Sequence, residues 1–473
     1  MKNYETVIGL EIHVELKTNT KVFCSCKNQF GSLPNTNCCP VCTGMPGALP
    51  VLNKSAVEKA IKAGLAVGSE INDIAIFERK NYFYPDLAKA YQISQLEKPI
   101  CVGGKIVLDS GKVIRLNRIH LEEDAGKLVH RSEAIGTLID YNRGGVPLIE
   151  SVTEPDISTS EEAIEFLSKL QATYVYAGIA DCKMEEGGMR CDVNLSIREV
   201  GSSKLGTRTE MKNLNSFKMV SRAIEFERKR QIEIVESGGV IKQETRKWDD
   251  NKGRSQAMRS KETSQDYRYF PDPDLLWVKI NKSTVQDISK SLPLMPEKRK
   301  EKYMSEFGLP KYDAEILTSK KEISDFFDAC GNFCENKKAL SNWIMVDILG
   351  KLKEEPENES MPLTPKQLST IINLLDTKKI SRVNAKELFA KIWRTNLDAH
   401  DTAEKNGWLD GISESELNEI INKVIVSNQK AVEDYPSDPE KVLRFFVGQV
   451  MKETKGKANA ELSTSLLKSI LNK

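Results

Sequence analysis

Residues 9–16 carry the side chains that are best suited to chemistry in this sequence. Glu11, His13 and Glu15 alternate there with four aliphatic residues. Because successive side chains of a β-strand point to opposite faces, a strand here would have one apolar face and one Glu-His-Glu face. Two carboxylates beside an imidazole are typical of a hard-cation site or of an acid–base site. The simpler interpretation of this segment alone is the polar outer face of an antiparallel strand.

A second group of candidate residues is a cluster of cysteines, since five of the ten fall between positions 24 and 42. Cys24, Cys26, Cys39 and Cys42 follow the pattern C-x-C-x12-C-x2-C, in which two short pairs can surround Zn²⁺ tetrahedrally. Four thiolates leave no position for water, so we predict a structural zinc site. Cys38 could replace Cys39, although its spacing to Cys42 is less regular. A nucleophilic cysteine is the alternative, and it would need a base from only four histidines.

Further acidic residues recur in strand-like or glycine-rich motifs rather than on helix faces. They are Glu122, Glu123, Glu150, Asp192 and Glu210. Several carboxylates together with His13 could hold Mg²⁺, which takes oxygen ligands and bridges phosphates. Any one of these acids is more often a solvated surface residue. A site would therefore require that the fold bring them together.

The known phosphate-binding loops do not occur, since neither GxxxxGK[ST] nor GxGxxG is found. If the chain uses ATP, metal ions and basic side chains must hold the phosphates. The candidates for this role are Lys80, Lys89, Arg190 and Lys212.

Length and composition predict a soluble protein of several domains, with 473 residues, 29% of them charged, and a net charge of +1. Strand-like patterns and glycines dominate residues 1–292, which predicts an α+β domain with an antiparallel sheet. Helical periodicity dominates afterwards, with one helical domain at 293–398 and a helical tail at 399–473. No signal peptide or membrane-spanning run is found, so we expect a cytoplasmic protein that does not contact membranes.

Six motifs in series resemble one family, the B subunits of the aspartyl/glutamyl-tRNA amidotransferases. They are 7–16 (VIGLEIHVEL), 79–86 (RKNYFYPD), 91–95 (YQISQ), 120–127 (HLEEDAGK), 212–217 (KNLNSF) and 266–275 (DYRYFPDPDL). Residues 447–452 and 456–459 match the family's helical tail. The resemblance covers essentially the whole chain.

The resemblance implies a cradle-like N-terminal domain related to the glutamine synthetase fold, followed by a helical domain and a YqeY-like tail that bind tRNA. It implies ATP-dependent transamidation of mischarged Glu-tRNA(Gln), Asp-tRNA(Asn) or both. This chain would phosphorylate the side-chain carboxylate of the tRNA-bound amino acid. A separate amidase (glutaminase) subunit would release ammonia from glutamine, and a third, small subunit would complete a heterotrimer. No role with DNA is implied.

The resemblance also assigns roles to the candidate residues. The expected catalytic residues are Glu11, His13, Glu123, Glu150, Asp192 and Glu210. All of these except Asp192 are expected to hold Mg²⁺, with Glu123 preferred to Glu122. The four basic candidates would contact ATP, and the four cysteines would hold a structural zinc ion.

Two other functions are compatible with the same residues. A zinc-containing scaffold could bind tRNA and present it to another protein of the complex without catalysis. A phosphodiesterase or nuclease could use the carboxylates with Mg²⁺ and would not need ATP.

Overall fold

The computed structural model describes residues 3–130, 136–260, 266–355, 360–409, 414–454, 456 and 458–471. Lys457, within one of the tail motifs, lies outside the described residues. The chain forms two compact units, Met1–Pro296 and Glu297–Lys473. The first contains sheets and helices, and the described part of the second is helical. The α+β class is therefore confirmed, whereas the three-domain division at 292 and 398 stays a prediction.

The strands are numbered in chain order. They are β1 (Tyr4–Glu15), β2 (Glu70–Ile71), β3 (Ile74–Ala75), β4 (Glu78–Asn81), β5 (Tyr91–Ser94), β6 (Cys101–Val102), β7 (Lys105–Val107), β8 (Val113–Glu123), β9 (Lys127–His130), β10 (Thr137–Asp140), β11 (Pro147–Thr153), β12 (Met189–Glu199), β13 (Thr209–Leu214), β14 (Glu244–Asp249), β15 (Arg254–Ser260), β16 (Phe270–Pro271) and β17 (Val278–Lys279).

The helices of the first unit are α1 (Lys54–Ala66), α2 (Ser160–Tyr176), α3 (Phe217–Glu236) and α4 (Lys282–Lys290), and α5 (Pro296–Ser305) begins at the boundary between the units. The remaining helices are α6 (Lys311–Thr318), α7 (Lys321–Gly331), α8 (Lys337–Asn342), α9 (Leu349–Leu352), α10 (Pro365–Asp376), α11 (Arg382–Ile392), α12 (Ala399–Lys405), α13 (Glu414–Val426), α14 (Gln429–Asp434), α15 (Pro439–Glu453) and α16 (Ala460–Leu471). A π-helical segment, Trp343–Ile348, joins α8 to α9.

The main sheet has ten strands and places β1 near its middle. Nine strands lie in the order β15-β14-β13-β12-β1-β11-β8-β6-β2, and β7 pairs with β8. All neighbours are antiparallel except β13 and β14. β1 pairs with β11 on one side and β12 on the other, two strands that lie far away in the sequence.

The core of the first unit lies on the apolar face of β1. Leu10, Ile12 and Val14 are buried there in one cluster with apolar residues of α1, α2 and α3. The alternating residues Glu11, His13 and Glu15 are only partly buried on the opposite face. The predicted alternation is thus confirmed, and the polar face of β1 is free to form a site.

The second unit holds two separate apolar cores. One is built from α5 to α12 and the other from α13 to α16. Among the described residues, no helix combines the length and the apolar character that crossing a membrane requires.

Candidate metal and phosphate site

The pairing register of β1 brings most of the predicted acidic residues onto one face of the sheet. His13 lies opposite Glu150 of β11 and opposite Arg190 of β12, and Glu11 lies opposite Asp192. Residues directly opposite each other in neighbouring strands project on the same side. One face therefore carries a row of charged groups across the sheet.

His13 belongs to the first of two clusters on this face, together with Glu122 and Glu150. One ligand atom from each of the three lies within 4.8 Å of the others. His13 Nδ1 is 3.2 Å from Glu122 Oε1. His120, which lies opposite Glu150 on β8, places its Nε2 3.2 Å from Glu150 Oε2 and 3.7 Å from Glu122 Oε2. Two carboxylates and one imidazole nitrogen are ligands that a hard divalent cation accepts.

The charges of this first cluster are strongly coupled. Burial disfavours the charged carboxylate of Glu150, but His120 and His13 outweigh this effect and lower its pKa to about 2. Burial likewise disfavours the His13 imidazolium, but Glu150 and Glu122 raise the pKa of His13 to about 9. Protons on His13 and His120, whose pKa values are both raised, thus balance the negative charge of the two carboxylates. A divalent cation could balance this negative charge instead, by displacing the proton from His13.

The second cluster consists of Glu11, Asp192 and Glu210, whose oxygens also lie within 4.8 Å of one another. Lys212 Nζ lies 2.6 Å from Asp192 Oδ2 and 3.3 Å from Glu210 Oε1. Burial, together with the charges of Glu150 and Glu210, raises the pKa of Glu11. Three crowded carboxylates with one ammonium group carry excess negative charge, so this donor set also fits a divalent cation.

Neighbouring polar side chains orient the carboxylates of the second cluster. Asn194 Nδ2 donates a hydrogen bond of 2.9 Å to Glu11 Oε1, and Thr245 Oγ1 donates one of 2.9 Å to Glu210 Oε2. Such contacts fix ligand orientation before a metal ion binds.

Glu123, predicted as a magnesium ligand, lies outside both clusters. Its carboxylate pairs with Lys89 and accepts a hydrogen bond of 2.9 Å from the Ile93 backbone amide. Glu122 takes its place beside His13. The reason is strand alternation, since Glu122 shares its face with His120 and adjacent strand residues face opposite ways. The geometry therefore favours Glu122 over the predicted Glu123 as the ligand beside His13.

The four basic candidates occupy different surroundings. Lys212 contacts the second cluster, while Arg190 Nη2 lies 2.5 Å from Asp124 Oδ2. Lys80 Nζ lies 4.9 Å from the centroid of the Tyr267 ring, and the charges of Glu122 and Glu150 help to raise its pKa against the effect of burial. Lys89 forms an ion pair with Glu123. Lys212, Arg190 and Lys80 thus surround the acidic face, and Lys89 lies at its border.

His120 is a site residue that sequence reasoning missed. It is buried, and its Nδ1 has no hydrogen-bond partner within the described residues. Its position two residues before Glu122 in one strand was the available signal, because residues i and i+2 share a face.

The four predicted cysteines come together in the loop between β1 and α1. One Sγ atom from each of Cys24, Cys26, Cys39 and Cys42 lies within 4.8 Å of the others. A hydrogen bond from the Cys24 thiol lowers the pKa of Cys42 to about 4. Cys38 stays outside, with its Sγ 3.8 Å from Asn142 Oδ1. The set fits a metal that prefers four thiolates.

The mainly antiparallel sheet thus presents two acidic clusters beside basic residues, a donor arrangement that divalent cations accept, and the loop after β1 gathers a separate four-cysteine cluster. Comparison with known families then assigns the chain more narrowly. The GatB/GatE catalytic domain family matches residues 6–286, and the GatB domain family matches residues 325–471. The chain therefore belongs to the GatB/GatE family, which confirms the resemblance of its motifs.

Curated relatives are similar over their whole length. The B subunit of the aspartyl/glutamyl-tRNA(Asn/Gln) amidotransferase of Caldicellulosiruptor bescii is 51% identical over 99% of both chains. The protein of the same name from Thermoanaerobacter pseudethanolicus is 50% identical over 99% of this chain and 100% of its own. The one from Lachnoclostridium phytofermentans is 49% identical over all of both chains.

Proposed function

We propose that this chain is the substrate-activating B subunit of an aminoacyl-tRNA amidotransferase. It would catalyse ATP-dependent transamidation of Glu-tRNA(Gln), Asp-tRNA(Asn) or both, and thus act as a ligase in translation. The observation that carries the proposal is the pair of acidic clusters held side by side through Glu11 and His13. They lie in a chain about half identical to proteins that bear the name of that amidotransferase component.

The chemistry accounts for these residue types. Ammonia does not displace oxide from a carboxylate, so the carboxylate must first gain a better leaving group. Transfer of the γ-phosphoryl group of ATP to one carboxylate oxygen gives an acyl phosphate and ADP. Ammonia then attacks the carbonyl carbon, the C–O bond to the phosphate breaks, and inorganic phosphate leaves. The products are the amide on tRNA, ADP and phosphate.

His13, Glu122 and Glu150 would hold one Mg²⁺, and Glu11, Asp192 and Glu210 would hold another. When bound, Mg²⁺ supplies charge neutralisation on the phosphate oxygens. Lys212, Arg190 and Lys80 would attract and orient the triphosphate of ATP. In phosphoryl transfer such positioning provides most of the catalysis.

The cysteine cluster would hold a structural zinc ion. The first unit would be a cradle related to the glutamine synthetase fold, and the helical domains at 293–398 and 399–473 would bind the mischarged tRNA. The amidase subunit would supply ammonia from glutamine, and the third, small subunit would complete the heterotrimer in the cytoplasm.

The test uses the reconstituted complex with Glu-tRNA(Gln), ATP, Mg²⁺ and ammonium chloride. We expect Gln-tRNA(Gln) to form together with phosphate in a 1:1 ratio and only when ATP is present. Amide formation without ATP consumption would contradict the proposal. Cleavage of the tRNA with Mg²⁺ alone would instead support a nuclease.

A further inference from the structure

The cysteine-rich loop has an unusual charge distribution. Residues 28–53 contain no Asp, Glu, Lys or Arg, although 29% of the residues in the whole chain are charged. Surface loops are normally polar and charged, because their side chains face water. An uncharged stretch of this length within a highly charged chain therefore needs an explanation.

The same loop exposes large apolar side chains. Phe30, Leu33, Met45, Leu49 and Val51 are each more than half exposed, with Leu33 at 76% and Val51 at 74%. We call these five residues the apolar loop surface. Depletion of charge combined with exposed apolar side chains is typical of the central part of a protein–protein interface.

The loop that carries this surface is held in place by polar contacts. Besides the four-cysteine cluster, the Asn35 backbone amide donates a hydrogen bond of 3.0 Å to Asp140 Oδ1, and the Asn37 amide donates one of 2.8 Å to Asn142 Oδ1. The cysteine cluster and these polar contacts hold the loop in place, and Val41 and Leu52 pack against the core, while the apolar loop surface remains exposed. The exposed apolar side chains are thus presented on a prearranged loop, which lowers the entropy cost of docking.

The loop also borders the candidate site. Gly44 of the loop lies against the side chain of Lys89, since a Cβ atom added to this glycine would be only 2.7 Å from Lys89 Cγ. Gly145, just before β11, lies between the loop and Glu123. A Cβ atom added to this glycine would be 3.6 Å from Cys42 Cβ and 4.0 Å from Glu123 Oε2. The loop therefore contacts the Lys89–Glu123 pair at the border of the acidic face. A partner seated on the loop would adjoin the site where the carboxylate is proposed to react.

We propose that the apolar loop surface is the docking surface for the amidase subunit that supplies ammonia. This inference rests on the proposed function and names the partner of that site. The partner's contact surface would be uncharged and apolar, to complement a loop without charges. RNA is disfavoured as the occupant, because a phosphate backbone requires Lys or Arg and residues 28–53 contain neither.

The test compares a triple variant, Phe30→Ser, Leu33→Ser and Val51→Ser, with a matched control, Val200→Ser and Leu205→Ser. The control residues are also exposed apolar side chains, in the turn between β12 and β13. Zinc content is measured first, to show that the loop still holds its metal. Each full-length variant is then assembled with the amidase and small subunits and assayed with glutamine or with ammonium chloride.

We expect the triple variant to lose about 10-fold or more of its glutamine-dependent amidation, since interface anchors dominate binding. It should keep ammonium-dependent amidation within about twofold of the control, because the acidic clusters are untouched. Gel filtration should show weaker association with the amidase subunit. Unchanged association and unchanged use of glutamine would overturn the inference, as would an equal loss with both nitrogen sources in a zinc-replete variant.

A failure of the proposed function itself would look different. The parent complex would then form no amide even with ammonium chloride. In that case, association measured by gel filtration still decides whether the apolar loop surface binds the amidase subunit.

Discussion

At the scale of single residues, the choice between Glu122 and Glu123 is the sharpest test of the site. Glu122 lies 3.2 Å from His13 Nδ1, whereas Glu123 pairs with Lys89. We expect Glu122→Gln to weaken binding of Mn²⁺, a probe for Mg²⁺, by at least about 10-fold, because the variant loses a ligand charge. Glu123→Gln is the matched control and should change Mn²⁺ affinity by no more than about twofold. Titration followed by electron paramagnetic resonance measures both.

The reverse order of effects would place the cation beside Lys89 and would contradict the site described above.

The pair Glu122 and Glu123 also shows the limit of sequence reasoning. The presence of two adjacent acids was visible in the sequence, but which of them meets His13 and Glu150 depends on the pairing of β8 with β11. Register is set by pairing across the sheet, which one strand's sequence does not contain.

A second residue-scale prediction concerns the cysteines. Cys39 belongs to the four-sulfur cluster, whereas the adjacent Cys38 lies outside it. We expect Cys39→Ser to lower the bound zinc to well below one equivalent per chain and to destabilise the first unit, because metal binding contributes to folding. Cys38→Ser should keep its zinc. Elemental analysis of purified protein, with thermal unfolding, decides between them. Zinc loss from the Cys38 variant alone would show that the ligand set is wrong.

At the scale of elements, α3 is joined to β13 by a buried polar network. The carboxylate of Glu227 accepts hydrogen bonds of 2.6 Å from Thr209 Oγ1 and of 2.8 Å from Gln231 Nε2. Arg230 adds two more, at 2.8 and 2.6 Å. Because β13 also carries Glu210, this network supports the strand that holds the second cluster.

The same network predicts how stability depends on pH. Burial opposes ionisation of Glu227, but the hydrogen bonds from Arg230, Thr209 and Gln231 lower its pKa. A carboxylate with a lowered folded-state pKa stabilises the fold above its unfolded-state pKa of about 4.3, and this contribution is lost as pH falls through the folded-state value. We therefore expect Glu227→Gln to lower the free energy of unfolding by about 2–4 kcal/mol at pH 7.

The cost of Glu227→Gln should shrink as pH falls below about 4, where the parent loses the same charge. Calorimetric unfolding of the first unit at several pH values measures this difference. A cost that does not change with pH would mean that packing rather than charge stabilises this position.

Whether a feature of these elements could be predicted depends on how far apart the residues that determine it lie along the chain. The alternation in residues 9–16 correctly predicted β1 and its polar face, because local periodicity determines which face is apolar. The partners of β1 could not be predicted in this way. β11 and β12 lie more than 130 residues later in the chain, and pairing over that distance depends on the whole fold.

At the scale of the whole molecule, overall composition and net charge do not indicate the function. The net charge of +1 gives no indication of a nucleic-acid partner. Charge is instead concentrated locally, with acids and a few cations on one face of the sheet and none in residues 28–53. Motifs spread along the chain indicated the family, and the match of two domain families confirmed it.

The most direct test of the central claim compares His13→Ala with His130→Ala in the reconstituted complex. His13 lies in the first cluster, whereas His130 is an exposed residue of β9 that contacts Thr137. Ammonium chloride, ATP, Mg²⁺ and Glu-tRNA(Gln) are supplied, and both variants are first shown to fold and to bind tRNA equally. We expect His13→Ala to lose about 100-fold or more of both amide formation and tRNA-stimulated ATP hydrolysis, with His130→Ala unchanged. Equal conversion by the two variants would contradict the account and would favour a non-catalytic scaffold.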